Sequence, residues 1–289
     1  QRAGLARGAM DDPGRATVFH DRLDGAPFDG PQTARLPGTR PEDPARLIVV
    51  DAAYGAQMRL RDRLIAETHA EVVGALDAAA PAVAELCDTI LARLDARDDF
   101  LRDGNAVRRP DGLAVALDRA SPEAVLATLG RLVTEDLCLM AKRPGEAEHR
   151  LVAGVLCFPS LWTLHEKLGM GLSRIHAPVP VYDADLAARV QRLFDALPAG
   201  RMLVRFNALS PDTPVLHTPL SEAEAHGPHA PSPTAGRWLR SERQCLLRLP
   251  RSGAVLFSIQ TRMLPRAALT PEQEAAWADH AEAAATREG

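Results

Sequence analysis

Apolar residues recur with a helical period in the first half of the chain and with a strand period in the last third. After Pro81, the residues Val83, Leu86, Cys87, Ile90, Leu91 and Leu94 fall at i, i+3, i+4, i+7, i+8 and i+11. That spacing predicts an amphipathic helix buried along one side. A looser stripe, Met58, Leu64, Val72 and Leu76, runs through good helix formers and also predicts helix. Ser121-Pro122 reads as an N-cap with proline at N1, opening a helix through Leu126, Leu129, Leu132 and Val133. The unbroken apolar run Leu151 to Phe158 ends at Pro159, the pattern of a short strand buried on both faces. Thr163-Leu164-His165-Glu166 has the capping-box signature, and Gly169 and Gly171 stop the helix it opens. One further turn, Leu172 to His176, leads into the stiff Pro178-Val179-Pro180. Asp183 then caps a helix with Leu186, Val190, Leu193, Phe194 and Leu197 on one face.

The C-terminal third alternates with a period of two. Met202, Val204, Phe206 and Ala208 lie opposite Arg201, Arg205 and Asn207. Trp238 to Leu249 and Ala254 to Thr261 flank Pro250-Arg251-Ser252-Gly253, a hairpin signal. Thr270-Pro271-Glu272-Gln273 opens a last helix that runs through Trp277. Helices followed by mostly antiparallel strands give the α+β class. The expected organisation is an irregular Pro- and Gly-rich arm over residues 1–50, a folded domain over 51–265 and a C-terminal helix over 266–289. Ser210 to Gly236, rich in proline and histidine, reads as a long polar loop, either a lid over a pocket or a docking surface.

Composition narrows the classes. The chain has 289 residues, a net charge of −4 and no basic footprint, which argues against a nucleic-acid partner. No apolar run approaches the ~20 residues that span a bilayer. No apolar leader segment is visible, so a cytoplasmic location is the default expectation. Cys87, Cys138, Cys157 and Cys245 are dispersed and form no C-x-x-C pair, the pattern of reduced, buried thiols.

Generic nucleotide, hydrolase and zinc motifs are absent. Two stretches are dense in unusual residues. Cys157 to Tyr182 gathers a thiol, Trp162, Lys167, Arg174 and a helix-ending His176. In Arg240 to Arg248, Arg240, Glu242, Gln244 and Arg248 share one strand face with Arg243 opposite. Polar residues facing inward there must be paired with each other or with a ligand.

These stretches carry a resemblance. Thr134-Glu135-Asp136-Leu137-Cys138-Leu139, Cys157-Phe158-Pro159-Ser160-x-Trp162, Glu166-Lys167-x-Gly169 and Ile175-His176-Ala177-Pro178-Val179-Pro180-x-Tyr182 occur in order, followed by Arg205-x-Asn207, Glu242-Arg243-Gln244-x-Leu246 and Arg248-Leu249-Pro250-Arg251-Ser252-Gly253-Ala254. Over roughly residues 45 to 265 the chain resembles the heme-dependent oxidative N-demethylase family. It departs from that pattern at Ala208, where a Trp usually follows the Arg-x-Asn motif, and at Arg35-Leu36-Pro37-Gly38 in the arm. Loss of that Trp would be expected to enlarge a pocket beside the strand.

The resemblance implies a PAS-like domain holding heme b between an antiparallel sheet and helices, with dioxygen as oxidant. The substrate class would be a small amine or other N-containing molecule, its N-methyl group oxidised to a carbinolamine that sheds formaldehyde. An iron porphyrin needs an axial donor, an apolar slot and cations for its propionates. His176 is the expected ligand, and Cys157 is the alternative. Arg205, Arg243, Lys167 and Arg174 are the candidate propionate partners, with Trp162 also at the cofactor. Asn207, Tyr182 and Glu242 are the candidate catalytic groups. No flavin or iron–sulfur motif is present, so electrons are expected from a separate flavin/iron–sulfur reductase. A heme-based gas or redox sensor, and a biosynthetic heme enzyme of N-oxidation or N–N bond chemistry, are the competing readings.

Overall fold

The computed structural model describes residues 18–24, 37–179, 182–227 and 236–288, with side chains to residue 282. Its centre is a seven-stranded sheet in which every strand pair is antiparallel. In chain order the sheet strands are β1 (Arg40–Glu42), β2 (Val73–Ala75), β6 (Asp136–Ala141), β7 (Arg150–Val155), β8 (Met202–Leu209), β9 (Trp238–Arg248) and β10 (Val255–Pro265). Across the sheet they run β1-β8-β9-β10-β6-β7-β2. A separate three-stranded sheet is formed by β3 (Leu101–Asp103), β4 (Ala106–Arg108) and β5 (Ala114–Ala116).

Strand pairing assigns residues to the two faces of the sheet. Leu203, Leu246, Phe257 and Cys138 lie opposite one another in successive strands, and they belong to one apolar cluster. This front face is covered by the connection between β7 and β8. That connection carries α5 (Leu164–Lys167), α6 (Leu172–His176) and α7 (Ala184–Ala196), which contribute Leu164, Leu172, Ile175 and Phe194. The back face carries Met202, Leu247, Leu256, Leu139 and Ala153 in register. It packs on α1 (Tyr54–Glu67), α3 (Ala80–Asp95) and α4 (Pro122–Gly130) in the larger core. The stripe predicted for α3 is buried at all six positions from Val83 to Leu94.

Local signals explain several boundaries. The Ser121 side chain accepts from the Ala124 amide at 3.1 Å, and the Asp183 carboxylate accepts from Leu186 at 2.8 Å. At α9 (Pro271–Glu288), Thr270 and Gln273 cap each other reciprocally. The predicted hairpin forms with its turn at Arg251–Gly253, where Gly253 adopts a φ of +71°. All four cysteines are free and buried.

The structure differs from the periodicity in four places. The stripe from Met58 to Leu76 breaks at Thr68, giving α1, the short α2 (His69–Val72) and then strand β2 beside β7. The helix opened by Ser121 ends at Gly130, where a Cβ would come within 2.6 Å of Val155, so Leu132 and Val133 are buried beyond the helix. The run from Leu151 leaves the sheet at Val155. Within the arm, Arg40–Glu42 pairs with β8 as an edge strand, where Pro41 costs no ladder bond. Residues 1–17 and 25–36 of the arm lie outside the described residues.

Candidate functional site

The front face turns polar toward one end of β8 and β9. Successive rungs place Arg205 opposite Gln244, Asn207 opposite Glu242, and Leu209 opposite Arg240. Glu242 is the hub of this row. One of its oxygens accepts from Arg240 Nε at 2.8 Å, and the other from Gln244 Nε2 at 3.0 Å and Asn207 Nδ2 at 3.4 Å. Arg240 also donates to the carbonyl of Leu216 at 3.0 Å. The ladder thus satisfies its own charges, with Arg205 as the exception. Its Nε is buried without a partner, and burial pulls its guanidinium below the usual arginine range although Glu242 opposes this.

His176 ends α6, near enough to Arg205 of this row for its charge to act on the ring. Its Nδ1 bonds the Leu172 carbonyl at 2.9 Å, one helical turn back. A carbonyl only accepts, so Nδ1 carries the proton and Nε2 carries the lone pair. Nε2 has no partner among the described residues. Burial holds the imidazole below its ordinary pKa, and the cations of Arg205 and Lys167 push the same way. The ring is therefore neutral at physiological pH, the form that ligates metals.

Two successive backbone bonds, Val179 N to His176 O and Tyr182 N to Val179 O, fold the chain back on itself. They stack Tyr182 on His176 with ring centroids 4.4 Å apart and planes 16° off parallel. The Tyr182 hydroxyl is buried without a partner, and burial pushes it up to about 12. Pro180, part of the stiff exit read in the sequence, lies outside the described residues.

Lys167 and Arg174 are committed elsewhere. Both bond Glu222, Lys167 Nζ at 3.0 Å and Arg174 Nη1 at 3.0 Å, and Lys167 also donates to the Ile175 carbonyl. Their two cations hold the Glu222 carboxyl down to about 2. Glu222 opens α8 (Glu222–Ala225), a turn inside the loop that follows β8. Glu166 completes the joint. Instead of capping its own helix, its carboxylate accepts from the Thr163 hydroxyl and the Glu222 amide. A parallel bridge between Ser160 and Thr218 and a bond from His217 to the Cys157 carbonyl fasten the same loop. Trp162, half-buried, packs on the front core after Leu161, whose φ of +63° is a left-handed conformation that costs a leucine energy.

The candidates do not all converge. His176, Tyr182, Arg205, Asn207 and Glu242 belong to the front side, with Lys167, Arg174 and Trp162 at its border. Arg243 projects from the back face, in register with Phe206 and Gln260. Cys157 belongs to the back core beside Arg61 of α1, and burial pushes its thiol up to about 12. Ala208 also faces back. It lies with Leu23, Leu239, Leu264 and Trp277 in a cluster of its own, so the missing Trp concerns packing against α9 rather than a front-side pocket.

Two positioning groups escaped the sequence reading. Arg61 and Asp136 form a fully buried ion pair at 2.7 Å, and Asp136 receives the amides of Cys157 and Phe158 where the chain leaves β7. Glu222 is the other; the local signal that could have marked its turn is Ser221-x-x-Glu224, a capping box that forms in full.

The profile of the family described as "Haem-dependent oxidative N-demethylase, alpha subunit-like" matches residues 38–286. The chain belongs to this family. The match extends further at both ends than the motifs quoted above and takes in β1 and most of α9, so the edge strand and the Trp277 contact are parts of the family domain. The chain has no match among curated proteins. Among the described residues, no helix is long and apolar enough to cross a membrane.

Proposed function

We propose that the chain is a heme b-dependent, monooxygenase-like oxidoreductase acting on a small amine or other N-containing molecule, with electrons from a separate reductase. The observation that carries this reading is the oriented, neutral His176 with a free Nε2, near Arg205, whose buried Nε has no partner. The topology supports a PAS-like scaffold: a β6–β7 hairpin, a helical connection, then β8, β9 and β10, with β10 returning beside β6. In such a scaffold the space between the sheet and the helical connection is the cofactor side.

The residues present fit heme. His176 Nε2 would ligate the iron, its ring fixed by the Leu172 carbonyl and by the stacked Tyr182. A backbone partner on the other ring nitrogen is the usual support of a metal-ligating histidine. Arg205, whose Nε lacks a partner, would pair with a propionate, while Leu203, Leu246, Phe257 and Ile175 offer apolar contact for the macrocycle. Cys157 does not fit: its thiol is protonated and lies behind the sheet. Lys167 and Arg174 hold the loop, and Arg243 serves the back face.

Heme in this place supplies dioxygen activation for oxidation of an N-methyl or similar group. The chain's own groups bind and orient. Asn207 gives its Nδ2 to Glu242 and keeps Oδ1 as an acceptor for an amine N–H. The Tyr182 hydroxyl remains protonated and available to donate. Glu242, neutralised by Arg240, orders the row by holding the Gln244 and Asn207 amides. The four cysteines are buried and dispersed, so they offer no iron–sulfur site. The "alpha subunit-like" description supports a partner subunit as the electron source.

The test is turnover. Heme-loaded protein, NADPH and a flavin reductase are mixed with a panel of N-methylated amines, and formaldehyde is measured. Formaldehyde release that depends on both the chain and the reductase is expected. A protein that binds dioxygen or carbon monoxide but yields no product from any amine would instead be a gas sensor.

A further inference from the structure

The back face carries a cleft of its own. A cleft of about 590 Å³ lies between the edge of the sheet and the start of the chain, and five arginines line it: Arg40, Arg46, Arg97, Arg243 and Arg262. Only two carboxylates, Asp24 and Glu42, lie among the lining residues. Asp99 and Asp51 pair Arg97 and Arg262 from outside the lining, so the excess is a single positive charge.

Most of these arginines have partners. Arg97 grips Asp99 with both arms of its fork, Arg262 pairs with Asp24, and Arg40 lies over the Phe206 ring. Arg243 is held least: its one ion pair, to Glu42, is long at 3.8 Å, and the Nη2 that makes it is buried with no hydrogen-bond partner. Directly across the ladder stands Gln260, 2% exposed. Its Nε2 donates to Asp51 at 3.2 Å, while its Oε1 is buried and unpartnered. One rung thus offers the cleft an orphaned cationic donor beside an orphaned acceptor. Each costs free energy unless something binds it.

We propose that this cleft binds a small organic oxyanion carrying a hydroxyl group. The carboxylate or phosphate oxygens take the Arg243 guanidinium, and the hydroxyl donates to Gln260 Oε1. Arg46, exposed at the rim, adds long-range attraction. A bare anion satisfies only half of the rung, and a neutral alcohol satisfies only the other half. The site lies on the opposite side of the sheet from His176 and is independent of the heme reading.

Calorimetric titration of the full chain with three probes tests this. Citrate carries the carboxylate source of the chemistry, glycerol 3-phosphate the phosphate source, and propane-1,2,3-tricarboxylate keeps the carboxylates of citrate without its hydroxyl. Saturable binding of citrate or glycerol 3-phosphate, with the tricarboxylate weaker than citrate, is expected. Arg243→Gln should weaken the bound probe by about tenfold or more, as expected for a lost charged hydrogen bond. Gln260→Leu should erase the preference of citrate over the tricarboxylate. If these buried variants do not fold, Arg46→Glu reads the same site from an exposed position and should also weaken binding. Arg102→Gln, paired with Asp95 away from the cleft, should not. No saturable binding of either hydroxylated probe by the wild type would overturn the proposal, as would equal weakening by Arg46→Glu and Arg102→Gln.

Discussion

His176 acquires its chemistry from a single backbone atom. The Leu172 carbonyl selects the tautomer, and burial keeps the ring neutral, so a residue of ordinary type becomes a ligand-ready base. This arrangement was partly legible in the sequence, because the Ile-His-x-Pro motif marked the position and a helix ending at His176 implied a carbonyl four residues back. The commitment of Lys167 and Arg174 to Glu222 was not legible, since ion pairs between segments 48 and 55 residues apart leave no local pattern. Arg205→Leu should lower heme retention without unfolding the chain, read by heme loss to apomyoglobin. An unchanged loss rate would remove Arg205 from the propionate role. Glu135 gives a second test at this scale. Burial raises its carboxyl from the usual 4.5 to about 7, and Oε2 has no partner. The folded chain thus holds a proton that the unfolded chain releases, and stability falls as pH rises from about 4.5 to 7. Glu135→Gln should flatten that slope in thermal melts, by a few kcal/mol at most. A slope identical to wild type would contradict the assignment.

Elements place these residues, and their legibility followed how local their causes are. The stripe of α3, the caps at Ser121 and Asp183, and the β9–β10 hairpin rest on neighbours in sequence and were all visible in it. Strand β2 was not, because Val73–Ala75 takes its partner from β7, about 80 residues away, against a helical local pattern. The loop after β8 is held by the Lys167–Glu222–Arg174 joint, whose charge is present above the ordinary glutamate pKa of 4.5 and is lost as pH falls toward about 2. Glu222→Gln should therefore raise protease sensitivity around residues 210–227 at neutral pH, and lowering the pH from 5 to 3 should do the same to wild type. Equal cleavage rates at all conditions would show that the joint is incidental. At the other end, Ala208 and Trp277 share one cluster. Trp277→Ala should cost about 3 kcal/mol or more, and Ala208→Trp should overpack the same space. The double variant Ala208→Trp/Trp277→Ala should recover part of the loss, a non-additivity that denaturant melts can measure. Strict additivity would mean that the two positions do not exchange volume.

Across the whole molecule, one sheet separates two polar environments. The front gathers a neutral histidine, an unpartnered arginine and an amide-bearing ladder under the β7–β8 connection. The back carries an arginine-lined cleft, and the apolar core of α1, α3 and α4 covers most of its remaining area. The proposed function takes its electrons from a separate protein, so NADPH alone should not reduce the heme iron at a useful rate, while an added flavin reductase should. Fast reduction by NADPH with no second protein would contradict this. The central claim is that heme is held on the front face by His176, and the most direct measurement is the Soret spectrum and heme content of three proteins produced with ample heme. Wild type and Cys157→Ser should each carry about one heme per chain with the ferrous carbon monoxide band of a histidine-ligated iron, and His176→Ala should lose the heme or regain it only with added imidazole. Retention by His176→Ala with loss in Cys157→Ser, or a colourless wild type that refuses added hemin, would contradict it.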